Sequence, residues 1–302
     1  MSLPPVEIPL GAMRFNSDSQ KLEYFNGDVW MQVHTFNPNL DGGVRATFTG
    51  GEPSISDNMD YVTISTRGNA ADFGDYIISN GTGNRGIVGS STRGFNSGGE
   101  SPSAGDSHNT IGKHEFATLG SAIDFANLTF TSKGGPGFSN ATRGVHCRGY
   151  GAPSLNHEDV CFFTMASQQD AADFGDLASG SSYGGSGMAS PTRGIIVPSR
   201  SPSAFVNTIE FCTIATTGNF QDFGDAVNTD NTDFAMAGGS ATRGVLAGGQ
   251  DSPNTTTDIT FITYATKGNT QKFGDLHTAH SYAASASAVS YTHLSLPTSD
   301  LV

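Results

Sequence analysis

The sequence predicts an all-β fold built from about five consecutive copies of one unit, and three observations lead to that prediction. A Thr-Arg-Gly motif recurs at intervals of 50, 50 and 50 residues, with its arginine at Arg93, Arg143, Arg193 and Arg243. A Phe-Gly-Asp motif keeps the same period, with spacings of 52, 49, 49 and 50 between Phe73, Phe125, Phe174, Phe223 and Phe273, although Ala126-Asn127 replace Gly-Asp in the second copy. No apolar helical periodicity persists in this region for more than about two turns. A fixed period of this size is typical of units that bury their apolar faces against one another.

The composition agrees with many short strands and tight turns. Charged residues make up 14% of the chain, whereas about 25% is usual, and the 39 glycines are roughly twice the usual share. The 20 phenylalanines still supply a core, and we expect the five phenylalanines that recur with the repeat to be buried in equivalent positions. A net charge of -13 with only 15 Lys and Arg argues against binding of DNA, RNA or an anionic membrane. The apolar stretches are too short to cross a membrane, and the first residues lack the features of a secretory signal.

Residues 1–40 differ from the repeats and predict a small module of their own. Residues 11–33 alternate between apolar and polar side chains, and turn signals interrupt them at residues 17–19 and at Asn26-Gly27. Alternation with a period of two residues is typical of strands that bury one face. We therefore expect a three-stranded β-meander in this segment.

The last copy shows how one repeat unit is built. Residues 242–249 predict an apolar strand that ends in a glycine pair, and a polar loop follows over residues 250–257. Residues 259–264 are β-branched and aromatic, which favours a second strand. A turn leads to the Phe-Gly-Asp motif, and residues 277–286 predict a further strand that would begin the next unit. Each of the five copies has room for three or four strands.

A unit of about 50 residues with four short strands is the size of one blade of a β-propeller. The residues resemble the kelch family, in which an apolar strand ends in Gly-Gly, a second strand carries a Tyr, and a Trp follows. Residues 245–249, Tyr264 and Phe273 match this order, although Phe273 stands where the family has Trp. The glycine pair recurs at residues 50–51 and 98–99 but is lost in the third and fourth copies. Residues 41–287 therefore resemble a divergent kelch-like propeller, and a propeller of the chromosome-condensation-regulator type is the alternative.

Both ends of the chain carry further resemblances. Residues 11–33 resemble a short module that decorates tail fibres and other virion proteins of bacteriophages, and the repeat array is similar to predicted structural proteins of marine phages. These resemblances imply a virion location. Residues 288–302 match no position of the repeat and resemble a translated adapter sequence, so we expect them to lie outside the propeller.

The arginine column is the strongest candidate for a functional site. Arg93, Arg143, Arg193 and Arg243, with Arg45 as a fifth candidate, could form a ring that binds carboxylates or sulfates of a glycan. Alternatively, each arginine pairs within or between blades, with the aspartate of the Phe-Gly-Asp motif or with backbone carbonyls. Because a residue repeated in every blade is expected of a scaffold, the second interpretation is favoured. The motif itself predicts a turn with Asx hydrogen bonds rather than a calcium site.

No catalytic or metal-binding pattern stands out. The 8 histidines never recur in register with the repeat, and they form no ligand pattern with the cysteines. Cys147, Cys161 and Cys212 fit no metal or disulfide spacing, so we expect buried thiols. The Tyr/His/Cys set of copper oxidases built on kelch propellers cannot be assembled from these residues. The sequence therefore predicts a protein that is not an enzyme and has no cofactor and no metal.

The sequence-based prediction of function follows from these points. We expect a non-catalytic structural protein of a phage virion, a tail-fibre or host-adhesion component that displays variable blade loops. Those loops are residues 100–109, 150–158, 200–207 and 250–257. The expected partners are other virion proteins and a glycan or protein of the host surface, with no nucleic acid and no membrane insertion. The alternative is a cellular carbohydrate-binding or oxidase-like kelch domain.

Overall fold

The computed structural model describes residues 8–16, 21–32, 45–50, 56–64, 66–77, 86–100, 107–150, 157–178, 180, 183–197, 206–227, 235–251 and 254–281. The chain divides into two compact units, Met1–Asp41 and Gly42–Val302. All regular elements of the described ranges are β-strands, which confirms the all-β prediction. These ranges hold no helix that is long and apolar enough to cross a membrane. The predicted domain boundaries and the adapter-like residues 288–302 lie outside them.

The first unit contains one antiparallel sheet. Its strands β1 (Met13–Asn16), β2 (Lys21–Phe25) and β3 (Trp30–Gln32) pair in the order β1-β2-β3, as expected for a meander. On one face, the buried carboxylate of Glu23 accepts hydrogen bonds from Arg14 at 2.9 Å and from Asn16 at 3.0 Å. The side-chain oxygen of Asn26 stabilises the turn after β2, because it accepts hydrogen bonds from the backbone N–H groups of Asp28 at 3.0 Å and Val29 at 2.8 Å.

The described residues of the second unit form five antiparallel sheets in chain order and one short ribbon. The first sheet is formed by β4 (Arg45–Thr49), β5 (Asn58–Thr63) and β6 (Ala71–Asp75). The second is formed by β7 (Gly86–Gly89), β8 (Arg93–Ser97), β9 (His108–Glu115) and β10 (Ile123–Ser132). The third is formed by β11 (Gly137–Ser139), β12 (Arg143–Cys147), β13 (Asp159–Thr164) and β14 (Ala172–Asp176).

The last two sheets repeat this plan. The fourth is formed by β15 (Ser186–Ala189), β16 (Arg193–Val197), β17 (Thr208–Thr213) and β18 (Gln221–Asp225). The fifth is formed by β19 (Met236–Gly239), β20 (Arg243–Ala247), β23 (Asp258–Thr263) and β24 (Gln271–Asp275), with the ribbon β21 (Gln250–Asp251) and β22 (Asn254–Thr255) inserted in its polar loop. The short strands β7, β11, β15 and β19 neighbour one another in that order. Successive sheets therefore follow one another about a common line, in a propeller-like arrangement.

The Thr-Arg-Gly motif occupies a tight hairpin and the start of the strand that follows it. In the third sheet, the side-chain oxygen of Asn140 accepts the backbone N–H groups of Thr142 and Arg143, both at 2.9 Å. A Cβ atom at Gly144 would lie 2.5 Å from the ring of Phe163. The glycine is therefore explained by space, because the aromatic side chain of the neighbouring strand covers it.

The Phe-Gly-Asp motif lies in the outermost strand of each sheet and not in a turn, so the turn expectation is wrong. Val160 pairs with Gly175 and Cys161 pairs with Asp173, which leaves Phe174 as the extra residue of a β-bulge. The same bulge falls on the motif's aromatic residue in the other four sheets, at Phe73, Phe125, Phe223 and Phe273. A bulge of this kind redirects a side chain and favours a glycine after it, here at a φ of +136°.

The core lies between consecutive sheets. One buried cluster combines Val145 and Phe174 of the third sheet with Ile196, Ile214 and Phe220 on the side of the fourth. The second and third sheets share a similar cluster, and so do the fourth and fifth. The three cysteines are buried free thiols, as expected. Burial raises the pKa of both Cys161 and Cys212 to about 12, which disfavours the reactive thiolate.

Candidate functional site

The arginine column joins each sheet to the next one along the chain. Four guanidinium groups donate to a backbone carbonyl in the following sheet, at the turn directly after its third strand. The bonds are Arg45 to Phe116 at 2.7 Å, Arg93 to Met165 at 3.0 Å, Arg143 to Ile214 at 2.8 Å and Arg193 to Tyr264 at 2.5 Å. A hydrogen bond from a charged donor contributes about 1.5–3 kcal/mol. These arginines therefore serve the junctions between sheets.

An aromatic ring of the same sheet lies against most of these guanidinium groups. The ring centroids are 4.6–5.1 Å away, at Tyr61, Phe162, Phe211 and Phe261. Each of these rings meets the bulged phenylalanine edge-on, as Phe162 meets Phe174 at 5.9 Å and 80°. The second sheet departs from this pattern because Lys113 replaces the aromatic residue, and there Arg93 pairs with Glu115 at 3.0 Å.

The sequence left open whether the arginines meet aspartates or carbonyls, and the carbonyls are what the structure shows. Arg143 is informative because the preceding motif has Ala126-Asn127 and offers no aspartate. It bonds the carbonyl of Ile214 in the sheet that follows its own. Arg243 differs from the other four: within the described ranges it stacks on Phe261 but bonds no carbonyl of a following sheet. The arrangement favours a scaffold over an anion-binding ring.

The Phe-Gly-Asp strand makes a second set of junction bonds, with a turn of the next sheet. At the junction of the third and fourth sheets, the backbone N–H groups of the first and third residues of the turn 218–220 donate to the carbonyls of Phe174 at 2.7 Å and Asp176 at 2.8 Å. The backbone N–H of Asp176 donates to the side chain of Asn219 at 3.2 Å. A Cβ atom at Gly175 would lie 2.5 Å from the backbone of the turn. Glycine is therefore required for the close approach.

Equivalent turns complete other junctions. We call residues 120–122, 218–220 and 268–270 docking turns. Each turn comes directly before the last strand of its own sheet and binds the Phe-Gly-Asp strand of the sheet before it. The turn 120–122 donates to Phe73 and Asp75, both at 2.8 Å, and the turn 268–270 donates to Phe223 at 2.8 Å and Asp225 at 2.9 Å. We call the side with the arginine and the bulged phenylalanine the trailing face of a sheet, and the side with the docking turn its leading face.

The junction of the second and third sheets exchanges the two polar residues. The trailing face carries Asn127 in place of aspartate, and the leading face carries Asp170 in place of Asn219 or Asn269. The backbone N–H of Asn127 donates to the carboxylate of Asp170 at 2.9 Å, and the N–H of Ala171 donates back to the carbonyl of Asn127 at 2.8 Å. At this junction, as at the other filled junctions, only one of the two facing residues is acidic.

The bulged aromatic rings are buried wherever a following sheet covers them. Phe73, Phe125, Phe174 and Phe223 are 2%, 4%, 1% and 2% exposed. The prediction that all five rings are buried is wrong for Phe273, which is 59% exposed. Its own sheet places it as the others are placed, but no described sheet follows the fifth. Burial of this ring is therefore a property of the junction and not of the motif.

The variable loops begin after the second strand of each four-stranded sheet, and several polar and aromatic side chains meet near the start of these loops. Lys133 bonds the carboxylate of Glu100 at 2.7 Å and lies 4.6 Å from the ring centroid of Tyr150. The ring of Tyr183 is 6.2 Å from that of Tyr150. We call these four residues the loop-base cluster. Most of the loops themselves, at residues 101–106, 151–156, 200–205 and 252–253, lie outside the described residues.

Two histidines have structural roles that the sequence did not reveal. The ring of His146 bonds the hydroxyls of Ser97 at 3.0 Å and Ser132 at 2.8 Å, and burial lowers its pKa to about 3. His114 bonds Thr47 at 3.1 Å, and burial lowers its pKa to about 4. The available signal was a glycine opposite each ring, since any Cβ there would overlap it. Within the described ranges, no three His, Cys, Asp or Glu side chains converge on a metal site.

Comparison with known proteins identifies the fold. The sequence matches no family model, and no curated protein is significantly similar to it. The structure is similar to that of YjhT, a protein of the kelch-like β-propeller type, with a TM-score of 0.65 and 11% identity over 80% of this chain and 84% of that one. Similarity at this level of identity shows the fold alone. The chain therefore has an all-β, propeller-like fold, made of antiparallel sheets of three or four strands.

Proposed function

We propose that the protein is a non-catalytic structural component of a phage virion, a tail-fibre or tail-associated protein that contacts the host surface. Its scaffold is a divergent kelch-like propeller of about five blades, one for each sheet of the second unit. Other virion proteins and a glycan or protein of the host surface are its partners. The resemblance of residues 11–33 to a module of phage tail fibres supports the virion part of this proposal.

One observation carries the binding part of the proposal. The residues that recur in the repeats, the arginine, the bulged phenylalanine, the glycine and the aspartate, bind the next sheet at the filled junctions. A ligand site must therefore come from positions that differ between repeats. The loops after β8, β12, β16 and β20 differ in sequence from one repeat to the next and begin at equivalent points. Variable loops on a rigid scaffold are a common way to build a binding surface.

The loop-base cluster is the described part of this surface that fits a glycan. Tyrosine rings offer a flat apolar face with a polar tip, and the neighbouring Lys133–Glu100 pair offers charged hydrogen-bonding groups. Lys133 and Glu100 are partly buried, so both are held in place before a ligand arrives. Prearranged polar groups beside aromatic rings are typical of small-ligand sites.

An array of bacterial surface polysaccharides, probed with the full chain, tests the binding proposal. We expect binding to at least one polysaccharide, and a loss of about tenfold or more when residues 250–257 are replaced by Gly and Ser at equal length. Lys133→Met tests the loop-base cluster in the same assay. The melting temperature should stay unchanged in the loop variant and fall slightly in Lys133→Met, because Glu100 then loses its partner. Arg193→Ala is the matched control, because it should lower the melting temperature through a junction. No binding to any polysaccharide or host cell would contradict the proposal.

The genes beside the reading frame test the virion part. Tail and baseplate genes on either side would support it. Metabolic genes there would contradict it and would favour a cellular carbohydrate-binding or oxidase-like kelch domain.

A further inference from the structure

The fifth sheet presents a complete trailing face that no other described sheet covers. Arg243 lies 4.9 Å from the ring centroid of Phe261, which meets Phe273 edge-on at 6.0 Å and 77°, as in the sheets before it. Phe273 is nevertheless 59% exposed. A Cβ atom at Gly274 would have nothing within 4 Å, whereas at Gly224 it would lie 2.5 Å from a docking turn. The fifth sheet therefore has every part of a junction except the partner.

The first sheet presents the matching leading face, also open. Residues 68–70 stand at the docking-turn position, and their Gly-Asn sequence is the one found in the docking turns 218–220 and 268–270. Ile64 occupies the place whose carbonyl accepts an arginine in later sheets. Its side chain is 51% exposed, whereas the equivalent Ile214 and Tyr264 are buried. Among the described residues, the N–H groups of residues 68–70 donate to no trailing face.

The polar residues of the two open faces also match. Asp275 carries the carboxylate of the trailing face, and Asn69 carries the amide of the leading face. This is the combination found where Asn219 meets Asp176 and where Asn269 meets Asp225. A leading face with Asp170 in this place would bring two carboxylates together. Among the described residues both faces are open, so each still carries the groups to form one more junction of this kind.

We propose that a second copy of this chain docks the leading face of its first sheet on the trailing face of the fifth sheet. The N–H groups of Gly68 and Ala70 then donate to the carbonyls of Phe273 and Asp275, and Arg243 donates to the carbonyl of Ile64. The contact repeats the geometry of the junctions inside the chain. It joins two different faces, so copies associate head to tail into rings or longer rows. Because the net charge is -13, added salt strengthens the association.

Two substitutions test this proposal without disturbing the separate molecule. Gly274→Ala places a methyl group in open space, but the same group would overlap a docked turn. Ile64→Asp places a carboxylate on an exposed position that becomes buried only on docking. Gly224→Ala is the control for a filled junction, because its methyl group would overlap the docking turn and its φ of +150° disfavours alanine, so it should lower the melting temperature.

Sedimentation velocity over a range of concentrations measures the outcome. The unmodified chain should associate as its concentration rises, and each variant alone should stay monomeric, since neither has both faces intact. An equimolar mixture should form one-to-one dimers and nothing larger, because one variant retains the leading face and the other the trailing face. An unmodified chain that stays monomeric at every concentration overturns the proposal. A monomer whose melting temperature falls with Ile64→Asp also overturns it, since the two faces then close within one molecule.

Discussion

The Phe-Gly-Asp motif occurs at residues 223–225 and at residues 273–275 with the same strand pairing and opposite surroundings. In both places it forms an outermost strand with a bulge at the phenylalanine. The ring meets an aromatic neighbour edge-on at 5.9 Å in the first case and at 6.0 Å in the second. Yet Phe223 is 2% exposed and Phe273 is 59% exposed. The motif determines the strand and the bulge, and the following sheet determines the burial.

The largest expected difference in the free energy of unfolding is between Phe223→Ala and Phe273→Ala. The first substitution removes a ring packed between two sheets and should lower the free energy of unfolding by about 3–5 kcal/mol. The second removes an exposed ring and should lower it by less than about 1 kcal/mol. Urea unfolding at low protein concentration measures both. Equal losses would mean that the environments of the two rings do not differ as described.

A smaller difference is expected between Arg193→Ala and Arg243→Ala. The guanidinium of Arg193 bonds the carbonyl of Tyr264 in the next sheet, so its loss should cost about 1.5–3 kcal/mol. Arg243 makes no such bond in the described structure and only stacks on Phe261, which predicts a cost of about 0.5–1 kcal/mol. Arg193→Lys keeps the charge and should recover part of the loss. The proposal that junction bonds stabilise the array fails if Arg193→Ala leaves the unfolding free energy unchanged.

A further expected effect is a loss of stability in acid that arises at a filled junction. His114 of the second sheet lies 5.3 Å from the ring of Phe73, and burial lowers its pKa from 6.5 to about 4. Below pH 6.5 the unfolded chain binds a proton that the folded chain excludes, so stability falls until about pH 4. Between pH 7 and pH 5 this histidine should account for a loss of about 2 kcal/mol.

His114→Phe removes the titrating group and keeps a ring, as Phe163 does at the equivalent place in the third sheet. Urea unfolding at pH 7 and pH 5 should show a smaller acid loss for this variant than for the unmodified chain. His146, which is also buried with a lowered pKa, still contributes to acid loss in both proteins. An identical acid loss in the two proteins would show that His114 is not held neutral by the junction.

The repeat period and the strands could be predicted from the sequence because both are local. Alternating apolar and polar residues and glycine pairs mark the strands. Cys161 and Cys212 lie in the same strand of the repeat, where a small hydrophobic residue fits, and this position marks them as buried thiols. The bulge at Phe174 could not be predicted, because Asp-Phe-Gly-Asp fits a turn equally well until its pairing partner is known. The exposure of Phe273 could not be predicted either, since it depends on a neighbour that the motif does not encode. The arginine acceptors are backbone carbonyls, which leave no mark in the sequence.

The exchanged pair Asn127 and Asp170 has a consequence for how such a gene can change length. Losing the repeat that forms the second sheet would set Asp75 against Asp170, and two carboxylates in contact repel. Losing the repeat that forms the third sheet would instead set Asn127 against Asn219, which are both uncharged. The two deletions remove almost the same number of residues, but only the first creates an electrostatic penalty. The order of the repeats therefore matters, and a chain that has lost the repeat of the third sheet should be more stable than one that has lost the repeat of the second.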